Sequence, residues 1–448
     1  MAFNTLSFLF FFFPISLILY FLFPQKLRNI VLLVVSLVFY SWGDISNILF
    51  ILFSALFSYI SAIEISTFQN EGKEKEAKIS TIVTVGVHVA LLAFFKYAGL
   101  MSMPLGISFY TFSVLSYIFD VYRKKVPVEW NIVNYFLYVT FFPKVISGPI
   151  VEYKDFHEQL EKRFVTKKHL IDGTELFLIG LFKKVLLADQ LGKAFQSFSL
   201  TSSVVGTWMM VISYGLQLYF DFSGYSDMAI GLAKMFGFDF KKNFDEPYSS
   251  RSISEFWRRW HISLGAWFRD YVYIPLGGNR VSKQRHIFNL LVVWLLTGIW
   301  HGNTVGFMIW GLYHGFFVIG EKYFFASIRE KMSAIAQHIV TVFIVFIGWI
   351  FFFAPSINDA LLYLGRMIGI DASHFMTSTT FYYLYNNIIV IILAIVFCCP
   401  IIKQRYNSYV QRNNIRYLLH QAIVFVLFIV SIAYMVSSTY SSFLYFAF

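Results

Sequence analysis

The stretch IFNLLVVWLLTGIWHGNTVGF, residues 287–307, decides how this chain is read. Fourteen residues from Ile287 to Trp300 carry no charge, and then an ionisable side chain, His301, closes the run. Gly302 follows at once, then Asn303 and Thr304, and a second apolar run begins at Val305. A long apolar run without strict alternation fits a membrane helix and not a barrel strand. An ionisable group at such depth is costly and faces the protein interior or a water-filled cavity. The break after His301 points the same way, because non-helical backbone at membrane depth is tolerated only where protein or a cavity covers it. The plain alternative is a neutral, hydrogen-bonded core histidine.

The rest of the chain repeats the pattern. Of 448 residues 58% are hydrophobic and 14% charged, the mean hydropathy is +0.63, and soluble domains carry about 25% charged residues. The expectation is an all-α polytopic membrane protein, built of apolar runs of about 17–23 residues. Residues 3–23 lack a basic n-region and a small-residue cleavage site, so they read as the first membrane helix and not as a signal peptide. Cys398 and Cys399 are the only cysteines and are adjacent, which leaves no disulfide framework and no zinc pattern. They read as apolar filler. The formal net charge of +11 sits in short loops between apolar runs, the signature of cytoplasmic loops and not of nucleic-acid binding. Attraction to anionic membrane lipid follows from it.

Lys26 and Arg28 after the first helix place the N-terminus outside by the positive-inside rule. Further inside loops are expected at 69–78, at Arg123–Lys125, at 151–169, through the polar block 237–286, at Arg329 and Lys331, and at Lys403, Arg405, Arg412 and Arg416. The last apolar run, 417–437, then travels outward and leaves the C-terminus outside. Residues 132–150 lie between two inside loops and hold Pro143, Lys144, Gly148 and Pro149, so they read as re-entrant. Residues 174–188 carry Lys183 and Lys184 in mid-run and read as interfacial. There is no internal repeat, linker or soluble domain, and one integral-membrane domain over 1–448 is expected.

Candidate chemistry gathers in the second half. His261, His301 and His314 stand near apolar sequence; for His314, in WGLYHGFF, helix-packing polar glue is the alternative. SISEFWRRWHISLGAWFRDYVYIPLGGNR, residues 252–280, mixes Trp257, Trp260 and Trp267 with Arg258, Arg259, Arg269 and Arg280. That mixture suits an interfacial helix, and it also suits a phosphate-bearing ligand, to which Arg presents a fork of donors. Asp221 and Asp227 interrupt an apolar segment around Gly224, where a structural role, pairing with Arg or capping a broken helix, is the expectation. The chain ends SSFLYFAF, which by composition is an outer-interface aromatic anchor. No P-loop, dinucleotide fingerprint, HExxH or GxSxG elbow is present.

Six stretches, in order, resemble the membrane-bound O-acyltransferase superfamily, in its bacterial branch of alginate and peptidoglycan O-acetylation membrane subunits. They are PLGISFYTFSVLSYIFDVYR (104–123), FFPKVISGPIVEY (141–153), GLFKKVLLAD (180–189), YFDFSGYSDMAIGLAKMFGF (219–238), the 252–280 stretch, and TGIWHG (297–302) with WGLYHG (310–315). The core of the resemblance spans about 104–325, with a C-terminal helix and tyrosine motif at 417–448. It implies a ring of about eleven to twelve membrane helices, with re-entrant and interfacial helices, around a central tunnel. It implies that His301 is the signature catalytic histidine and that His261 lies near the donor. Trp257, Arg258, Arg259, Trp260, Trp300, Asn303 and His314 then fall to substrate binding. The related teichoic-acid D-alanylation system has a small partner protein whose terminal Phe-x-Tyr-x-x-Phe motif carries the acyl group on Tyr. Phe443, Tyr445 and Phe448 fit that pattern on this chain's own terminus, which makes Tyr445 a candidate acyl carrier.

The implied activity is acetyl transfer from acetyl-CoA, as co-substrate and with no metal, to a cell-envelope polysaccharide. The implied location is the bacterial inner membrane, and the implied partner is an extracytoplasmic SGNH/GDSL-type acetyltransferase. A composition rich in Phe, Ile, Lys and Asn leans toward peptidoglycan over alginate. Self-association into a homo-oligomer is left open. Two alternatives stand beside this reading: a D-alanyl or other acyl exporter of teichoic-acid type, and a non-catalytic lipid or glycan transporter, against which the lack of internal repeats counts.

Overall fold

The computed structural model describes residues 2–437, all of whose regular elements are helices. By length and composition, five helical stretches are apolar enough to cross a membrane: Gln25–Asn70, Glu74–Tyr97, Ala334–Phe353, Ser378–Phe397 and Asn414–Ser437. Their apolar side chains are exposed over long faces, as at Leu49, Ile82, Ile339, Ile389 and Phe425. That is the pattern of helices solvated by lipid and not by water. The chain is an all-α polytopic membrane protein.

The chain forms two compact units. The first holds the chain up to Leu178 together with Tyr225–Lys242; the second holds Ile179–Gly224 and, among the described residues, 243–437. In the first unit, the expected first membrane helix is shorter than its apolar run. It is helical from Phe8 to Leu22, and Phe8–Phe12 is a π turn. Pro14 explains the turn, since it has no N–H to return to the preceding turn and the ladder slips by one residue before it. Phe3, Phe8, Phe12, Phe39, Phe142 and Phe236 pack with ring centroids 5.0–5.7 Å apart in successive pairs.

The 132–150 segment forms no continuous span. Asn131 caps Ile132–Thr140 by accepting from the Val133 and Asn134 amides. The helix stops at Phe141, and only the short Phe142–Val145 helix follows before extended chain. Nine residues of helix rise about 14 Å, less than half of a hydrocarbon core of about 30 Å. The segment is buried throughout Val139–Ile150. Lys144 is buried with it: its Nζ donates to Ser113 Oγ at 3.1 Å and lies 4.3 Å from the Tyr138 ring centroid.

In the second unit, Lys283–His301 and Val305–Tyr323 form a helical hairpin turned by Gly302–Thr304. Small residues set its closeness: a Cβ on Gly298 would run into the Phe307 carbonyl, and one on Gly311 into that of Trp294. The same unit corrects the interfacial expectation for 174–188. Lys183–Ala188 is a π turn, and Lys184 is 1% exposed, with its Nζ 2.7 Å from both Asp189 Oδ1 and Asp221 Oδ1. Asp221 thus has the structural pairing expected of it, with a lysine in place of an arginine. Cys398 and Cys399 are both free thiols.

Candidate active site

The site is built on two short helices and the hairpin. Ser252 starts the helix Ile253–Arg259 by accepting from the Glu255 amide at 3.0 Å. Glu321, from the hairpin, accepts from the Ile253 and Ser254 amides at 2.6 and 2.9 Å and from Ser254 Oγ at 2.8 Å. A carboxylate on the unsatisfied first-turn amides is favoured by hydrogen bonding and by the helix dipole together. It ties this helix to Val305–Tyr323.

The chain then turns at His261, whose backbone is left-handed (φ 46°, ψ 55°), before the helix Ile262–Phe268 begins. Few non-glycine residues adopt this conformation, and it persists only where surrounding contacts impose it. Asn243 supplies them. Its Oδ1 accepts from the Ser263 amide at 3.1 Å and from Ser263 Oγ at 3.0 Å, and it lies 3.3 Å from His261 Nδ1. The backbone amide fixes which Asn243 atom is the oxygen, so His261 Nδ1 carries the hydrogen and Nε2 the lone pair. Burial pushes the His261 imidazole down to about 3, holding it neutral.

His301 is the last residue of its helix and is 3% exposed. Where the sequence points to a lined cavity, the neighbouring groups are rings: Trp300, Trp310 and Phe352 at centroid distances of 4.8, 4.9 and 5.1 Å. His314 lies one ring further on, 5.3 Å from Trp310 and 4.8 Å from Trp257. Neither nitrogen of His314 has a hydrogen-bond partner among the described residues, so it is not the interhelical hydrogen-bond glue that its setting suggests. His261 joins the cluster through Trp300 at 6.2 Å, and Trp260 joins through Trp349 at 5.0 Å.

The structure therefore brings His261, His301, His314, Trp257, Trp260 and Trp300 into one aromatic cluster. Arg258 and Asn303 stay outside it, exposed. Arg259 is half-buried and paired with Glu255 at 2.8 Å. Tyr445 lies outside the described residues. Sequence reading did not single out Asn243, Trp349 or Phe352. Their signal was faint: an Asn in a charged block, and two more rings in an apolar helix. Among the described residues no group of three or more His, Cys, Asp or Glu side chains is placed to hold a metal ion. A neutral imidazole in an apolar, ring-lined setting can accept a proton from a hydroxyl as that hydroxyl attacks, the chemistry of a general base.

Known proteins are similar to this chain in sequence. The family described as MBOAT, membrane-bound O-acyltransferase family, matches residues 32–363. The chain is 38% identical to the probable alginate O-acetylase AlgI of Pseudomonas aeruginosa, over 80% of its own length and 73% of that protein's. It is 32% identical to the peptidoglycan O-acetyltransferase of Helicobacter pylori, over 83% and 80%. It is also 29% identical to the teichoic acid D-alanyltransferase of Bacillus subtilis, over 49% and 59%.

Proposed function

The chain belongs to the membrane-bound O-acyltransferase family, and from that premise we propose that it carries an acetyl group from cytoplasmic acetyl-CoA across the bacterial inner membrane for O-acetylation of an envelope glycan. It is a membrane O-acyltransferase, which sets the non-catalytic transporter aside. The observation that carries the proposal is His301, buried among rings at the end of the Lys283–His301 helix, where the chain breaks at Gly302.

In the proposed reaction His301 is the general base and Tyr445 the nucleophile. An unperturbed imidazole has a pKa of about 6.5 and a phenol about 10, so His301 does not ionise Tyr445 in the ground state. The phenol oxygen attacks the thioester carbonyl carbon while the imidazole takes its proton, and the C–S bond breaks. The imidazolium returns the proton to the departing thiolate. The products are acetyl-tyrosine and CoA. A glycan hydroxyl then attacks the acetyl-tyrosine carbonyl, with catalysis by an SGNH/GDSL-type partner outside, and Tyr445 is regenerated. Of the cluster residues, His261, Trp257 and Trp260 attend the donor, together with Arg258 and Arg259 from outside the cluster. Peptidoglycan is the acceptor proposed first and alginate second. Composition supports the former, and the higher identity to the alginate O-acetylases supports the latter.

Purified protein given acetyl-CoA labelled in the acetyl group tests this. Label on the protein and release of CoA are expected. His301→Ala should cut both by about 10²–10⁴-fold, the usual contribution of general-base catalysis. Tyr445→Phe should leave the protein unlabelled. Normal labelling of His301→Ala sinks the base assignment, and normal labelling of Tyr445→Phe returns that residue to an anchor. A second reading, export of a D-alanyl group, is favoured by the teichoic acid D-alanyltransferase relative. Labelling from a D-alanyl thioester, and not from acetyl-CoA, would establish it.

A further inference from the structure

No Asp or Glu follows Asp371, yet Lys403, Arg405, Arg412 and Arg416 do. The short helix Pro400–Val410 carries the first of these and joins two candidate spans, Ser378–Phe397 and Asn414–Ser437. Lys403 is neutralised by Glu246, with its Nζ 2.6 Å from Oε1. Arg405 and Arg412 are exposed and have no carboxylate partner among the described residues. Both line a cavity of about 600 Å³ whose other walls are Ile401, Gln404, Ser408 and Tyr409. Arg416 borders it, its guanidinium 4.2 Å from the Tyr409 ring centroid. The cavity thus offers two guanidinium forks with an amide and two hydroxyls beside them, the donor set that suits phosphate oxygens.

Its surroundings select the source of the phosphate. On the three helices joined here, Phe397, Ile401, Ile402, Leu418 and Leu419 expose their side chains. A soluble phosphate compound has nothing to lay along those faces, whereas a lipid held by its phosphate has acyl chains that lie on them.

We infer that this cavity binds the phosphate headgroup of an anionic phospholipid through Arg405 and Arg412, its chains lying along Ser378–Phe397 and Asn414–Ser437. The site does not rest on the acyl-transfer reading and needs no residue of the aromatic cluster.

The test uses the full-length protein in neutral detergent, titrated with phosphatidylglycerol, phosphatidylcholine or CoA and read by native mass spectrometry. Phosphatidylglycerol should be retained and phosphatidylcholine not. One cationic side chain near an anionic lipid contributes about fivefold in affinity. The double variant Arg405→Gln/Arg412→Gln should therefore bind phosphatidylglycerol about 25-fold more weakly. Arg405→Lys/Arg412→Lys keeps the charge and should retain most of the affinity. CoA should not displace the lipid. Equal retention of the two lipids by the wild-type protein overturns the site whether or not the Gln variant folds. So does undiminished phosphatidylglycerol binding by that variant, and displacement by CoA would reassign the cavity to a soluble phosphate ligand.

Discussion

Around His314 the structure leaves no slack. Nε2 and Cε1 of that ring would stand 2.5 and 2.9 Å from a Cβ placed on Gly348, and Tyr313 Cε1 would stand 3.2 Å from it. These are rings packed among other rings, so none can swing aside. Gly348→Ala is expected to cost about 1–3 kcal/mol, the range for overpacking a filled core, and a lowered melting temperature in detergent would show it. His261 makes a prediction about pH. In the unfolded chain its pKa is about 6.5, and in the fold burial holds it at about 3. The folded form thus binds fewer protons between these limits, and stability falls as pH drops through them. The wild-type protein should lose about 1.4 kcal/mol per pH unit more than His261→Gln in that window. Parallel stability profiles for the two proteins would contradict the buried, neutral assignment. Of this neighbourhood, His261, His301 and His314 were visible in the sequence, because an ionisable residue stands out in an apolar run. Asn243 was not, because its role consists in where its oxygen points.

The helix ends and breaks follow from local chemistry. Gly302 ends one helix of the hairpin, Pro14 displaces the ladder of the first helix into a π turn, and Asn131 caps a helix too short to cross. Gly302 stands out in the sequence by the run it follows, whereas Pro14 and Asn131 are known as breaker and cap only from the helices they shape. The π turn at Lys183–Ala188 is different. A lysine in mid-run reads as interfacial, and Asp189, five residues on, gives it only one of its two carboxylate partners. Asp221 reaches it from the helix Val204–Met235, a pairing that no local pattern encodes. Lys184→Met should cost about 3–5 kcal/mol, because it strands two buried carboxylates. Adding Asp189→Asn and Asp221→Asn should recover much of the loss. Thermal unfolding of the single and triple variants measures both, and an unshifted single variant would mean that the ion cluster contributes nothing.

At the scale of the whole molecule, the basic loops make a topology testable. If Lys403, Arg405, Arg412 and Arg416 stay inside, the Asn414–Ser437 helix leads outward, and a phosphatase domain fused after Phe448 should be active in the periplasm. An inactive fusion would place the C-terminus inside and remove Tyr445 from the side where the proposed transfer to glycan occurs. The sequence by itself determined the class of this protein. With 58% hydrophobic and 14% charged residues it belongs in a membrane, and its long apolar runs without alternation select a bundle of helices over a barrel. It also marked where helices break, through Gly302 and Pro143, and which side chains were too polar for lipid. Only the tertiary structure decided that Trp310 sits between His301 and His314, that Lys184 is held by two aspartates, and that Arg405 and Arg412 share one cavity. The physical reason is that polarity is a property of each residue, whereas a contact belongs to a pair. Between helices in lipid, association depends on close packing and interhelical hydrogen bonds in place of a drive to leave water, and one-dimensional periodicity does not specify which ring meets which.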